Sequence, residues 1–193
     1  MIVFLQGQFV VKTPAYVWIE VNGIGYEVNI SLHTYSRIQQ TDHGKLLTYL
    51  HIKEDGHSLF GFFDEEERSL FLQLISVSGV GTSTARMMLS SMKPEEIRYA
   101  IRTENEALLG KIKGIGPKSA KRLILELKDK VLKENPGQNM AAPTNNNPAN
   151  DALFALVSLG IARNAASQAI DKTLKLQPDL ALEDLIKQAL KNI

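Results

Sequence analysis

Apolar and polar residues alternate through the first third of the chain, and this period of two predicts β-strands. Asn22-Gly23 separates two of these alternating runs and is a strong signal for a two-residue hairpin turn. Residues 1–62 are therefore predicted to be all β. Five short strands in so short a span favour a small closed barrel of the oligonucleotide-binding (OB) kind, and a five-stranded SH3-like barrel is the alternative. The predicted strands are residues 2–11, 17–21, 25–30, 46–52 and 59–62.

From residue 63 onward the apolar positions recur at helical spacing. Asp64 followed by Glu67 predicts an N-cap and its capping-box acid, and Pro94 followed by two acids opens another helix. The segment 103–106 predicts a second capping box. Residues 63–133 are thus predicted to form a compact helical domain.

Composition changes again after residue 133. Residues 134–150 are rich in Asn, Pro, Gly, Gln and Ala, which predicts a flexible linker because such a segment cannot bury a core. Residues 151–193 recover a helical pattern, with Gly160 placed to end the first of three short helices. A mini-domain of this size is marginally stable and is typical of a tethered unit that binds another protein.

A glycine hairpin occurs twice, as Val77–Arg86 and again 35 residues later as Ile112–Lys121. Each copy predicts a helix, a tight turn, and a second helix that begins after the second glycine. Glycine permits positive φ and has no side chain, so a phosphate could approach the unpaired N–H groups that open the second helix. One Gly-x-Gly alone is equally typical of an ordinary helix end. Two copies with matching glycine, alanine and basic positions favour binding to a nucleic-acid backbone.

The net charge is only +1, so any nucleic-acid surface must be local. Residues 110–133 contain eight Lys or Arg and two acids, whereas residues 1–62 contain four basic and five acidic groups. The absence of cysteine excludes disulfides, a thiol nucleophile and cysteine-ligated metals. The first residues lack the features of a signal peptide, and no apolar run approaches about 18 residues, so we expect a cytoplasmic protein.

Several segments follow one another in a characteristic order: Gly23–Val28, the loop Lys53–Asp55 leading to Leu59–Phe62, both glycine hairpins, and Ala155–Gly160. In this order and spacing the chain resembles the RuvA family of bacterial Holliday-junction-recognition subunits over essentially its full length. The resemblance implies a multidomain α+β fold. Its parts would be an N-terminal five-stranded OB-fold barrel (residues 1–62), a central tandem helix-hairpin-helix domain (63–133), a flexible linker (134–150) and a C-terminal three-helix UBA-like domain (151–193).

The resemblance also implies a function. The family binds four-way DNA junctions without regard to sequence, as a homotetramer or as two tetramers face to face, and serves homologous recombination, DNA repair and the SOS response. Its C-terminal domain contacts the RuvB motor, which hydrolyses ATP, and the RuvC resolvase is a further candidate partner. No cofactor, no metal and no catalytic residue are implied for this chain, which also lacks a Walker-type phosphate-binding motif.

Residue roles follow from the same resemblance. Glu54 and Asp55 match an acidic pin near the junction centre, although Asp55-Gly56 alone would also suit an ordinary hairpin tip. The first hairpin has Thr82-Ser83 where family members often have a basic residue, so the second hairpin should supply more of the electrostatic affinity. The predicted DNA-binding residues are Gly79, Gly81, Thr82, Ser83, Arg86, Gly114, Gly116, Lys118, Ser119, Lys121 and Arg122. The predicted RuvB-facing residues, which could instead form the mini-domain's own core, are Leu156, Leu159, Ile161 and Leu190.

Two other functions fit parts of the pattern. Lys118 lies where some helix-hairpin-helix glycosylases have a nucleophilic lysine, and three successive acids, Glu65 to Glu67, could suggest a metal-dependent nuclease. A lysine nucleophile needs a carboxylate partner and a base-receiving pocket, and acids at a helix start are commonly capping partners. The four histidines lie in the barrel and form no helical metal-binding pair. A non-enzymatic protein adaptor is the third possibility.

Overall fold

The computed structural model describes residues 1–54, 56–133, 148–177 and 180–192. Its contacts divide the chain into two compact units, Met1–Asn139 and Met140–Ile193. Residues 134–147 of the predicted linker and Asp55 of the predicted acidic pin lie outside the described residues. Within the described ranges, no helix is both long enough and apolar enough to span a bilayer.

The first unit begins with a closed barrel in the strand order β1-β2-β3-β5-β4. Neighbouring strands are antiparallel except β3 and β5, which pair in parallel where Asn29 meets Phe60. This order is that of the OB barrel rather than the SH3-like alternative. Asn22 and Gly23 have φ values of 50° and 85° and form the predicted tight turn. The strands are β1 (Phe4–Lys12), β2 (Tyr16–Val21), β3 (Ile24–Asn29), β4 (His43–Lys53) and β5 (Gly56–Phe62).

A short helix, α1 (Leu32–Ile38), lies between β3 and β4, so the prediction that residues 1–62 are all β was wrong for this segment. Ser31 is its N-cap, because the Ser31 hydroxyl accepts a hydrogen bond from Thr34 N at 3.1 Å. The helix is only seven residues long, too short for apolar spacing to stand out. The available signal in the sequence was the capping residue Ser31.

The described residues of the first unit form five further helices, and their core includes the barrel residues Phe60 and Phe62. Phe71 is fully buried, with its ring centroid 5.3 Å from that of Phe60 and 4.8 Å from that of Phe62. The helical core therefore extends onto one side of the barrel, whose interior is filled by a separate apolar cluster. The helices are α2 (Glu65–Ile75), α3 (Thr82–Ser91), α4 (Pro94–Arg102), α5 (Glu106–Leu109) and α6 (Pro117–Lys133).

The start of α2 is only partly as predicted. Asp64 is the N-cap and accepts a hydrogen bond from Glu67 N at 2.8 Å. The Glu67 side chain, however, turns away from the capping-box position and is fully buried against the barrel. It accepts hydrogen bonds from the hydroxyls of Ser31 and Thr34 and from Phe63 N. The assignment of Glu67 as a capping-box acid was wrong because tertiary partners on α1 compete for its carboxylate.

Burial raises the pKa of the Glu67 carboxyl above the ordinary glutamate value. The hydrogen bonds from Ser31 and Thr34, the nearby His33 and the Phe63 N–H all act in the opposite direction. Desolvation is the largest of these effects, so ionised Glu67 carries a cost in the folded protein.

The second predicted capping box is also wrong. Thr103 ends α4, where its hydroxyl donates to Tyr99 O at 2.8 Å, and Asn105 is the N-cap of α5. Glu104 lies between them with φ of 53° and pairs with Lys128 on α6. At the start of α4, by contrast, Glu96 accepts a hydrogen bond from Lys93 N at 2.8 Å, which supports the helix start that lacks a serine cap.

The second unit is a three-helix mini-domain whose helices pack pairwise around a small core. Its first helix begins at Pro148, inside the segment predicted as linker. That helix ends as predicted at Gly160, which has φ of 91°. Gly160 N donates to Val157 O and Ile161 N to Leu156 O, the paired bonds of a Schellman motif. The helices are α7 (Pro148–Ser158), α8 (Arg163–Leu176) and α9 (Leu182–Lys191).

Candidate nucleic-acid interface

The two glycine hairpins have matching backbone geometry. Gly79, in the turn between α2 and α3, has φ of 88°, and Gly114, in the turn between α5 and α6, has φ of 93°. These values favour glycine strongly. In the first turn Val80 N donates to Val77 O at 3.0 Å, and in the second Ile115 N donates to Ile112 O at 3.0 Å.

Buried apolar residues fix each turn to the helical core. Val77 and Val80 anchor the first turn, and the corresponding Ile112 and Ile115 anchor the second. The glycine between each pair remains exposed. Each turn therefore presents its backbone to solvent while its two apolar side chains point inward.

The second glycine of each hairpin, Gly81 or Gly116, faces open space. A Cβ added at either position would meet nothing within 4 Å. Packing within the protein therefore does not require glycine at either position. The absence of a side chain does allow a ligand to approach the backbone closely. Gly81 is also the N-cap of α3, and no side chain caps that helix. The N–H groups that open α3 are consequently available to an anion.

The exposed charge lies mainly on the second hairpin. Lys118 and Lys121 are exposed, and neither forms an ion pair with any residue that the structure describes. Ser119 lies half-buried between them. Lys113 is exposed within the turn, at the position that Ser78 occupies in the first hairpin. Sequence reasoning missed Lys113, although the alignment of the two repeats would have identified it.

Arg122 has a different environment from these lysines. Its Nη1 donates to Ser78 O, in the turn of the first hairpin, at 3.3 Å, and its Nε lies 3.5 Å from Glu126 Oε1. It thereby links the second hairpin to the first. About half of its side chain remains exposed, so a phosphate can still reach the guanidinium.

The first hairpin presents little charge. Ser83 is exposed and Thr82 half-buried at the start of α3. Arg86, predicted to contact DNA, instead turns toward the barrel, where its Nη1 donates to Asn29 Oδ1 at 2.7 Å and to Ala15 O at 3.1 Å. What the first hairpin offers to a phosphate is therefore its backbone and the Ser83 and Thr82 hydroxyls.

Glu54, the described residue of the predicted acidic pin, directly follows β4 and is exposed. Pairing between β4 and β5 continues to Lys53 and Gly56. The stem near the tip is exposed as well, including Ile52 with 64% of its surface accessible, so this part of the hairpin stands clear of the barrel core.

In the mini-domain, the four predicted partner-binding residues separate into two groups. Leu156 is fully buried and Ile161 packs against the same core, as the alternative interpretation of these residues required. Leu159 and Leu190 are 66% and 44% exposed and are available to a partner. Further exposed apolar residues of this unit are Phe154, Val157, Leu176 and Leu182.

The residues considered for the enzyme alternatives have other contacts. Glu65 pairs with Arg68 at 3.0 Å, and Glu67 is buried against α1, so the successive acids do not converge on one point. Among the described residues, no group of three His, Cys, Asp or Glu could hold a metal ion. A cavity of about 370 Å³ lies on the barrel, lined by residues such as Val10, Trp18 and Tyr26 rather than by the second hairpin that carries Lys118.

The fold and this surface together define a multidomain helix-hairpin-helix protein built on an OB-type barrel. Comparison with known proteins narrows the class. The RuvA N terminal domain family matches residues 1–61, the SAM-like Helix-hairpin-helix tandem matches 71–129, and the RuvA C-terminal domain matches 147–193.

Relatives cover the whole chain. Proteins named Holliday junction branch migration complex subunit RuvA are 49% identical in Christiangramia forsetii, 47% in Flavobacterium psychrophilum and 43% in Bacteroides fragilis, each over 100% of both chains. The chain belongs to the RuvA family.

Proposed function

We propose that this protein binds four-way DNA junctions independently of sequence and acts as the non-catalytic subunit of a branch-migration complex. The observation that carries this proposal is the pair of hairpins with exposed glycine turns, the first leading to the uncapped N-terminus of α3 and the second bearing lysines without an ion pair among the described residues. Such groups contact phosphates, which every sequence presents alike. A junction migrates through every DNA sequence, so the protein that holds it must bind independently of sequence. The names of the relatives support the choice of substrate.

Oligomerisation would bring several copies of the paired hairpins to one junction. Four copies around the junction, or two such tetramers face to face, would bring one pair of hairpins to each duplex arm. The exposed Leu159 and Leu190 of the mini-domain would contact an ATP-driven RuvB motor, and RuvC would be a further partner on the junction. The work would take place in the cytoplasm, where bacterial DNA is found.

The proposal predicts a preference for four-way junctions over linear duplex of the same sequence. Simultaneous engagement of several arms should raise junction affinity by a factor on the order of 10² or more over that of one arm. Titration of labelled junction and matched duplex, with light scattering to follow the oligomer, measures both quantities. Equal, weak binding to the two DNAs would favour the adaptor alternative.

Two assays address the enzyme alternatives directly. Borohydride should trap no covalent adduct between the protein and base-damaged duplex, and Mg²⁺ should elicit no cleavage of a labelled junction. A trapped adduct lost in Lys118→Ala would assign the glycosylase function, and Mg²⁺-dependent cleavage would assign the nuclease function.

The acidic pin predicts an unusual gain of affinity. Glu54→Ala combined with Asp55→Ala should tighten junction binding by about tenfold, because carboxylates near the junction centre repel phosphates. Branch migration driven by the motor should change at the same time. The isosteric pair Glu54→Gln and Asp55→Asn is the matched control and should behave like the alanine pair if charge is the cause. Unchanged binding and unchanged migration would rule out the pin.

A further inference from the structure

The first hairpin is attached to the barrel through polar contacts from both of its helices. On α2, Glu67 accepts hydrogen bonds from Ser31 and Thr34. On α3, Arg86 Nη1 donates to Asn29 Oδ1 and Ala15 O. One turn further along α3, Ser90 Oγ accepts a hydrogen bond from Leu32 N at 3.1 Å. Helix α3, whose N-terminus would face a phosphate, is thus held along one side by the barrel and α1.

The acceptors that bind Arg86 are themselves fixed. Asn29 lies at the end of β3, where β3 meets β5 and closes the barrel, and its Nδ2 donates to Leu59 O at 3.3 Å. The other acceptor, Ala15 O, also accepts a hydrogen bond from Ile30 N at 3.0 Å. The Asn29 side chain is therefore bonded to β5, and Ala15 O is bonded to the residue that follows β3, so both acceptors of Arg86 are tied to the barrel.

The second hairpin depends on the first for its position. Arg122 donates to Ser78 O in the first turn, and α6 packs against α2, α4 and α5. A change in the orientation of the first hairpin would therefore also change the orientation of the second hairpin. Arg86 lies at the start of this chain of contacts.

We propose that Arg86 is a positioning residue that sets the angle between the phosphate-binding hairpins and the barrel, and thereby the preference for a junction over linear duplex. This inference rests on the proposed junction-binding function. A duplex needs only the hairpins, whose local geometry does not involve Arg86. A four-way junction also requires each arm to lie at a fixed angle to the barrel, whose β4–β5 hairpin would stand at the junction centre.

The alternative is that Arg86 releases the barrel and contacts a phosphate directly. The two roles differ in their dependence on salt. A direct contact contributes about 0.9 to the slope of log K against log salt for each phosphate neutralised, whereas a positioning contact contributes nothing to the slope on linear duplex. They also differ in their dependence on Asn29, which is uncharged and makes only the barrel-side contact.

The test compares Arg86→Ala, Asn29→Ala and the double variant, each with junction and with matched linear duplex over a range of salt. Each single variant should lower the ratio of junction to duplex affinity by about tenfold, the fold-change expected for a lost charge-assisted hydrogen bond. The double variant should lose less than the sum of the two single losses, since both changes remove the Arg86–Asn29 hydrogen bond. The duplex salt slope should stay unchanged. Ser91→Ala on the same helix is the control, because its hydroxyl bonds only to Met87 O in the described structure.

Three results would overturn the positioning role: a reduced duplex salt slope in Arg86→Ala, an unchanged affinity ratio in both single variants, or additive losses in the double variant. A thermal melt of each variant distinguishes loss of folding from a changed hairpin orientation. Asn29→Ala breaks the same hydrogen bond as Arg86→Ala without removing a charge, so it tests the positioning role a second time. If the unsubstituted protein shows no preference for a junction over linear duplex, the proposed function itself is contradicted. A preference that survives in the variants contradicts only the role of Arg86.

Discussion

Lys118→Ala is expected to weaken binding to a four-way junction by about tenfold at ~0.1 M salt for each subunit bound. Lys118 is exposed on the first turn of α6 and has no acidic partner among the described residues, so its charge is free to neutralise a phosphate. Its loss should also reduce the slope of log K against log salt by about 0.9 per subunit. Titrations at four or five salt concentrations measure both changes.

Ser83→Ala is the matched comparison in the first hairpin, at an exposed position near the start of α3. Removal of a neutral hydroxyl releases no counterion, so the salt slope should not change and the affinity should fall by about threefold or less. An equal loss of affinity and slope in the two variants would contradict the inequality of the hairpins. Lys113→Ala should resemble Lys118→Ala if the missed turn lysine belongs to the same surface.

Glu67→Ala is expected to lower the free energy of unfolding of the first unit by about 3 kcal/mol. The substitution leaves two hydroxyls and one backbone N–H, from Ser31, Thr34 and Phe63, without their buried acceptor. Glu67→Gln keeps the size and most of the hydrogen bonds, so it should cost about 1 kcal/mol or less. Chemical denaturation at neutral pH measures the difference between the two.

The Glu67 pKa gives this prediction a pH dependence. Because burial raises the pKa in the folded state, the folded protein binds more protons than the unfolded chain between the ordinary value of 4.5 and the raised value. The stability contributed by Glu67 is therefore complete below pH 4.5 and declines as the pH rises through the folded pKa. The stability of the unsubstituted protein relative to Glu67→Gln should fall over that interval.

Glu66→Gln, at the neighbouring half-buried position, controls for the loss of one carboxylate from α2. It should leave both the stability and its pH profile nearly unchanged. A pH-independent difference between the unsubstituted protein and Glu67→Gln would show that the buried carboxyl titrates with an ordinary pKa. A Glu67→Ala variant as stable as Glu67→Gln would show that the hydrogen bonds to α1 contribute little.

Features that depend only on residues close together in the chain could be predicted from the sequence. The structure confirms four such predictions: the turn at Asn22-Gly23, the N-cap Asp64, the helix end at Gly160 and the two glycine turns. In each case the signal depends on local backbone geometry, such as positive φ or an orphan N–H group. The open second glycines, Gly81 and Gly116, also follow from the repeat itself.

The errors concern side chains with two competing partners. Glu67 left the capping-box position for hydroxyls on α1, more than thirty residues away in sequence. Thr103 ended one helix instead of starting the next. Arg86 bonds to the barrel and Leu156 lies in the core of the mini-domain, and their predicted roles in binding DNA and a partner stay predictions. Periodicity gives the face of a helix, but it does not say which neighbour will cover that face.

The sequence by itself determined the five strands of the first block, the duplicated hairpin with its basic second copy, and the family to which the chain belongs, because each of these depends on local pattern and order along the chain. Only the tertiary structure decided the barrel topology, the helical core around Phe71 that extends onto the barrel, and the separation of free lysines from arginines engaged in structural contacts. Those features depend on which distant groups meet, since a hydrogen bond or a buried ring is defined by both of its partners.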